Sequence, residues 1–148
     1  FFTIDTPATQ AVIGFTQQEP QQLTDATIEI KSRFGAVYLT AQSQAGSLKE
    51  DGILITAIAR ARNEGAKIIN DQFILSSGTR RGHHPTGPVL MEPVITTIKL
   101  DSSRSEVVVL DHSGRPTEDR IEISENGTFE IDTGRYKTPY YWIPVQSN

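Results

Sequence analysis

Cysteine is absent from the 148 residues, which excludes disulfide bonds, thiolate metal sites and cysteine nucleophiles. No apolar run approaches the roughly 18 residues of a membrane-spanning helix, so we expect no membrane partner. A basic surface is also lacking, because acidic residues outnumber basic ones and the net charge is −4. Binding to a nucleic-acid backbone depends on such a surface, so we expect no nucleic-acid partner.

Short segments of alternating polar and apolar residues are what the sequence does contain, with turn residues between them. Residues 26–31 and 128–132 alternate without interruption, and Asp-Gly or Asn-Gly pairs fall in breaks elsewhere. Strands that recur at such short spacing are typical of all-β folds. The sequence therefore predicts an all-β, antiparallel β-sandwich, either jelly-roll or immunoglobulin-like. Its length predicts a single domain over residues 1–148.

The longest apolar stretch, residues 51–65, admits two interpretations when taken alone. Read as a strand, it places Ile53, Ile55 and Ala57 on one face, and its first half is predicted to be buried on both sides. Read as a helix, it has apolar residues at the spacing i, i+3, i+4, i+7. Because strand-like segments flank it on both sides, we predict a central strand.

Aromatic residues are scarce, at 7% of the chain, yet they concentrate near its end. Alternation over residues 139–145 places Tyr140 and Trp142 on one face, about 7 Å apart along a strand. Planar rings cover the apolar C–H faces of sugars, so this pair, extended by Tyr136, predicts a carbohydrate-binding platform. The alternative interpretation is that the single tryptophan is a large core residue.

A second candidate lies in the segment over residues 70–88, which is predicted to be a loop longer than usual connections. Arg80, Arg81 and His83 can donate hydrogen bonds to sugar hydroxyls or to acidic groups of a polysaccharide. A solvated loop without a ligand is the alternative. Adjacent histidines of an extended chain point to opposite sides, and no third ligand follows from the spacing, so we expect no metal site here.

Carboxylates are common in the sequence, but their spacing predicts neither a catalytic pair nor a cofactor site. No Gly-x-Ser-x-Gly motif is present, and we expect no enzymatic activity. Structural calcium is the one ion that the residue types permit, through loop carboxylates and backbone carbonyls. The candidate ligands are Asp5, Asp101, Asp111 and Asp132.

Two further positions carry a structural prediction. Glu92 lies inside an apolar run, where we predict a hydrogen-bonding role in the fold. The sequence Asn126-Gly127-Thr128 matches a glycosylation acceptor, but Asn-Gly between two alternating segments is more typical of a tight hairpin turn.

Residues 53–65, with the sequence ILITAIARARNEG, resemble an ILLTAVARAENTG-like signature of β-sandwich modules found near the C-terminus of multidomain bacterial glycoside hydrolases. Residues 2–10 are similar to the YTIDTPRTQG opening of such modules, and residues 87–94 to their PVLVEPV segment. Residues 107–114 and 138–143 resemble their closing strands. Arg62 departs from the pattern, which has an acidic residue there, and the segment 71–87 is more basic and richer in histidine.

This resemblance implies an accessory, non-catalytic module excised from a larger, secreted hydrolase. The expected partners are a polysaccharide of the β-glucan or cellulose class, or a related one, and a covalently attached catalytic domain. The alternative is a structural module that packs against the catalytic domain and binds no sugar itself. The resemblance supplies no ligand residues, so the candidate site depends on the residues named above.

Overall fold

The computed structural model describes residues 1–43, 45–64, 67–69, 72–74 and 87–145, which form fifteen strands and one short helix. The first eight strands are β1 (Phe2–Asp5), β2 (Thr9–Gly14), β3 (Gln21–Gln22), β4 (Ala26–Ile30), β5 (Gly35–Ala41), β6 (Ile53–Ile58), β7 (Ala61–Asn63) and β8 (Lys67–Ile69). The others are β9 (Gln72–Ile74), β10 (Val89–Met91), β11 (Ile95–Leu100), β12 (Glu106–Leu110), β13 (Pro116–Glu122), β14 (Thr128–Asp132) and β15 (Tyr140–Ile143), with helix α1 (Thr133–Tyr136) before β15. Among the residues described, no helix is long and apolar enough to cross a membrane.

The chain divides into two compact units, the larger formed by Phe1–Ala59 and Pro93–Asn148 and the smaller by Arg60–Glu92. In the larger unit, one sheet has seven strands in the order β1-β2-β5-β6-β15-β12-β13 and the other has four in the order β14-β11-β4-β3. All neighbouring strands are antiparallel. Buried side chains from both sheets form one core, which confirms the predicted antiparallel β-sandwich.

The strand predicted in the stretch 51–65 is present as β6, in the middle of the seven-stranded sheet, but it ends at Ile58 and β7 belongs to another sheet. The two faces of β6 also differ in burial. Ile53, Ile55 and Ala57 are fully buried in the core. Leu54 and Ile58, on the other face of β6, are 36% and 37% exposed. The prediction that the first half is buried on both sides is therefore wrong, because only the Ile53 face belongs to the core between the sheets.

The Asn126-Gly127 segment is a turn, but it does not join a hairpin. Its flanking strands lie in different sheets, since β13 pairs with β12 and β14 pairs with β11. Gly127 has φ +82°, and a Cβ added to it would lie 2.3 Å from the carbonyl oxygen of Leu100. Glycine is therefore required for a sharp crossing between the sheets, where periodicity predicted a hairpin.

The smaller unit contains the antiparallel pairs β7–β10 and β8–β9. Strand β9 falls inside the segment predicted as a loop over residues 70–88, so the prediction of a loop is wrong for residues 72–74. Glu92 receives hydrogen bonds from Arg60 Nε at 2.8 Å and Nη2 at 3.0 Å. This bidentate ion pair confirms the structural role predicted for Glu92.

Candidate functional site

Strand β15 separates its side chains as the alternation predicted. Tyr141 and Ile143 are buried in the core, at 0% and 1% exposure. Tyr140 and Trp142 lie on the opposite face of the strand and are half-buried. The single tryptophan is thus not a residue of the core between the sheets.

The register of the seven-stranded sheet places further residues beside this pair, because directly paired residues share a face. Trp142 pairs with Leu54 of β6 and with Val108 of β12. Tyr140 pairs with Thr56 of β6, which itself pairs with Tyr38 of β5. We call the face of the seven-stranded sheet that bears Tyr38, Leu54, Thr56, Tyr140 and Trp142 the outer face.

Tyr38 is a third aromatic residue of the outer face that the sequence analysis missed. Its neighbours Val37 and Leu39 are fully buried, so Tyr38 points away from the core and is half-buried. The sequence contains the pattern that would have identified Tyr38, since residues 36–41 alternate in the same way as β15. One strand separates Tyr38 from Tyr140, which corresponds to roughly 10 Å between their backbones.

A shallow, open groove of about 610 Å³ crosses the outer face beside Trp142. It is lined by Thr40, Ala41, Gln42, Leu54, Leu110, Gly114, Pro116 and Trp142. A smaller depression of about 270 Å³ shares Leu54, Leu110 and Gly114 with it and reaches Tyr140, His112 and Ser113. No carboxylate and no lysine or arginine is among the described residues that line either one.

The turn between β12 and β13 forms one wall of the groove. Asp111 Oδ1 accepts hydrogen bonds from the backbone N–H groups of Ser113 at 2.8 Å and Arg115 at 2.9 Å. These bonds, the one from Arg115 first, hold the pKa of Asp111 below its ordinary value. Gly114, at φ +77°, supplies the left-handed backbone that the turn requires. The carboxylate of Asp111 therefore stabilises the turn that bears His112 and Ser113.

Trp142 lies against the backbone of Gly52, immediately before β6. A Cβ added to Gly52 would come within 2.3 Å of Cη2 and Cζ2 of the indole ring. The ring and the main chain thus approach as closely as the absence of a side chain allows. The position of Trp142 on the outer face depends on glycine at this site.

Tyr136 does not extend this face. It lies in α1, whose first turn is capped by Asp132, and it packs against the core. Its ring meets that of Tyr141 edge to face, with centroids 6.2 Å apart. Since Tyr141 points to the core side of β15, Tyr136 is separated from Tyr140 and Trp142 by the strand itself.

The predicted basic candidates Arg80, Arg81 and His83 lie outside the described residues.

The side-chain carboxylates of three of the four aspartates considered as calcium ligands accept hydrogen bonds within the described part of the fold. Asp5 accepts from the N–H and hydroxyl of Thr24, and Asp132 from the N–H groups of Gly134 and Arg135. Asp111 braces the turn described above. Within the part of the chain that the structure describes, no group of three or more His, Asp or Glu side chains is placed to hold a metal ion.

Comparisons with protein-family models, with curated proteins and with solved structures found no match to this chain. The resemblance to accessory modules of glycoside hydrolases therefore stays a prediction.

Proposed function

We propose that this protein is a non-catalytic carbohydrate-binding module and that its outer face binds a polysaccharide of the β-glucan or cellulose class. The observation that carries the proposal is the placement of Tyr38, Tyr140 and Trp142 on one side of a continuous sheet, beside an open groove. A group of aromatic side chains on the solvent-facing side of a sheet is typical of a binding surface, whereas aromatic residues in a core are explained by packing.

The chemistry of the groove suits a sugar chain. The faces of Trp142 and the tyrosines offer apolar surface to the C–H faces of pyranose rings. Thr40, Gln42 and Ser113 supply hydrogen-bonding groups at the edges, where ring hydroxyls project. Because the side chains stand on hydrogen-bonded strands, binding orders few groups and loses little entropy.

The absence of charged side chains from the described lining favours a neutral polysaccharide. An anionic chain would require cationic partners, and a cationic one would require carboxylates.

The module acts through proximity in this proposal. Attached to a secreted bacterial glycoside hydrolase, it raises the local concentration of the catalytic domain at the polysaccharide. No step of the hydrolysis is assigned to this chain.

Electrophoresis in native gels that contain soluble glucans tests the proposal. The protein should be retarded, and Trp142→Ala and Tyr140→Ala should migrate as they do in gels without polysaccharide. Phe15→Ala is a matched aromatic control, because Phe15 is exposed and contacts Phe34 away from the groove lining. The proposal would be refuted if a broad panel of glucans left the mobility of the protein unchanged and insoluble cellulose did not pull it down.

A second candidate function is structural packing against an attached catalytic domain. It is favoured by an apolar row on the same outer face, where Phe2 pairs with Ile13, Ile13 with Ala36, and Ala36 with Ile58. Phe2 is 59% exposed and Ile58 is 37% exposed, so the row offers apolar surface to a partner. Trp142 fluorescence that no sugar perturbs, with loss of catalytic-domain stability when the module is deleted, would favour packing.

A further inference from the structure

The ladder between β6 and β15 stops just beyond the candidate site. Its last pair is Ile53 with Ile143, and Pro144 follows. Ala57 donates its N–H to the carbonyl oxygen of Pro139 in this ladder, so the hydrogen-bonded pairs alternate and position 144 faces away from β6. Beyond Ile53 and Ile143, a side-chain donor bridges the two segments.

Arg104 supplies that donor from the segment before β12. Its Nη1 donates to the carbonyl oxygen of Pro144 at 2.8 Å, and its Nη2 to that of Asp51 at 2.7 Å. Nη2 also lies within hydrogen-bond distance of the carbonyl oxygens of Lys49, at 3.0 Å, and Leu48, at 3.3 Å. The guanidinium group therefore joins the end of β15 to the loop that leads into β6.

The two bridged segments are the ones that carry Trp142 and the surface on which it lies. Trp142 is two residues before Pro144, and Gly52, in contact with the indole ring, directly follows Asp51. A change in the separation of Asp51 and Pro144 would therefore alter the contact between the ring and Gly52.

We propose that Arg104 is a positioning residue that fixes the orientation of Trp142 in the groove. It acts by bridging the carbonyl groups of Asp51 and Pro144, and it touches no ligand. The effect of Arg104 on the tryptophan is independent of any sugar. Its effect on binding rests on the proposed function.

The surroundings of Arg104 show that it is built into the fold. The residue is only 9% exposed, and burial lowers its pKa from the ordinary value. Its charge is met by several carbonyl dipoles, which a planar fork of donors reaches at once. A lysine ammonium group presents its donors from a single point and cannot reproduce that spacing.

The single tryptophan makes the inference testable by fluorescence of the folded protein. Arg104→Met keeps a long side chain and removes all donors. We expect a shift of the emission maximum and at least a twofold change in the acrylamide quenching constant, measured well below the melting temperature. Lys31→Met is the control, because it removes the exposed ion pair with Glu130 on the four-stranded sheet and should leave the emission unchanged.

Arg104→Lys decides the matter if the methionine variant does not fold. We expect its emission and quenching to change in the same direction by a smaller amount. Wild-type emission and quenching in a folded Arg104→Met protein, or in Arg104→Lys when it alone folds, would overturn the inference.

Glucan binding is then compared as a separate readout. If the wild type binds, Arg104→Met should bind at least tenfold more weakly. If the wild type binds no glucan of the panel, the proposed function fails, while the fluorescence result still decides the role of Arg104.

Discussion

Tyr38 and Tyr140 are both register partners of Thr56, one on each side of β6. The three residues therefore form one row across β5, β6 and β15 on the outer face, with aromatic rings at its two ends. Trp142 lies two residues along from Tyr140, which adds a third ring about 7 Å away in the strand direction. A ligand that contacts all three must cross the strands, so we expect a chain of several sugar units to bind better than a short one.

Replacing Tyr38 by alanine tests that arrangement. Tyr38→Ala should weaken the binding of long oligosaccharides roughly tenfold, about 1.4 kcal/mol. The binding of a disaccharide should change less, because a short ligand reaches Trp142 and Tyr140 without Tyr38. Isothermal titration calorimetry with a series of chain lengths measures both effects.

The same series with Phe15→Ala controls for the loss of an aromatic ring elsewhere. An equal loss for short and long ligands would contradict the extended site, and no loss at all would remove Tyr38 from it.

Tyr38 also shows what could be predicted from the sequence and what could not. Alternation identifies the outward residues of β5 and β15, so Tyr38, Tyr140 and Trp142 are each recognisable locally. The sequence does not show that β6 lies between these two strands, since that neighbourhood depends on pairing between distant segments. A platform of Tyr140 and Trp142 extended by Tyr136 was therefore predicted, whereas the sheet places Tyr38 of β5 on the face of Tyr140 and Trp142.

The failed predictions have a related cause. Periodicity assigns a face to each side chain, but it does not report which face a second sheet covers or which sheet the next strand joins. Leu54 was for this reason expected to be buried, and the turn at Gly127 was expected to close a hairpin. Tyr136 was expected beside Tyr140, although α1 turns the chain between them and places Tyr136 against Tyr141.

The turn at Asp111 makes the stability of the groove wall depend on pH. The pKa of Asp111 is lowered in the folded protein, chiefly by the hydrogen bond from the backbone of Arg115. The ionised Asp111 carboxylate therefore contributes fully to folding stability at pH values above 3.8, its ordinary pKa. That contribution is lost as the pH falls through the lower pKa of the folded protein. Urea unfolding of wild type and Asp111→Asn across this range measures the contribution.

We expect the wild type to be the more stable protein at pH 7, with a difference that stays constant down to about pH 5 and shrinks below pH 4. Asp119→Asn is a control for the removal of a nearby carboxylate, because no hydrogen bond to the Asp111 turn involves its side chain among the described residues. A difference that grows on acidification would contradict the role given to Asp111.

The ion pair of Arg60 and Glu92 should govern the local stability of the smaller unit. It is bidentate, and the two side chains are 13% and 25% exposed, so replacing Glu92 removes charge-assisted hydrogen bonds that are largely screened from solvent. Glu92→Gln should lower the free energy of local opening by about 1–2 kcal/mol. The measurement is faster hydrogen exchange of the backbone amides of residues 64 and 92, which donate to the carbonyl oxygens of Pro88 and Arg60.

Glu130→Gln is the comparison, because its ion pair with Lys31 is exposed and should contribute less than about 0.5 kcal/mol. If Glu92→Gln leaves hydrogen exchange in the smaller unit unchanged, the backbone pairing of β7 and β10 maintains the local stability without the ion pair.

The contact between Gly52 and Trp142 gives the sharpest prediction for the site. Gly52→Ala places a methyl group where the indole ring lies, with 2.3 Å to Cη2 and Cζ2, so the ring or the main chain must move. We expect a loss of about 1–3 kcal/mol in unfolding free energy, typical of overpacking. The tryptophan emission should shift, and glucan binding should weaken.

Gly35→Ala is the matched control for Gly52→Ala, since its added Cβ would lie 2.9 Å from Cγ2 of Ile30 in the core. That variant should lose stability with wild-type emission. Equal emission spectra for the two variants would show that Gly52 does not set the position of Trp142.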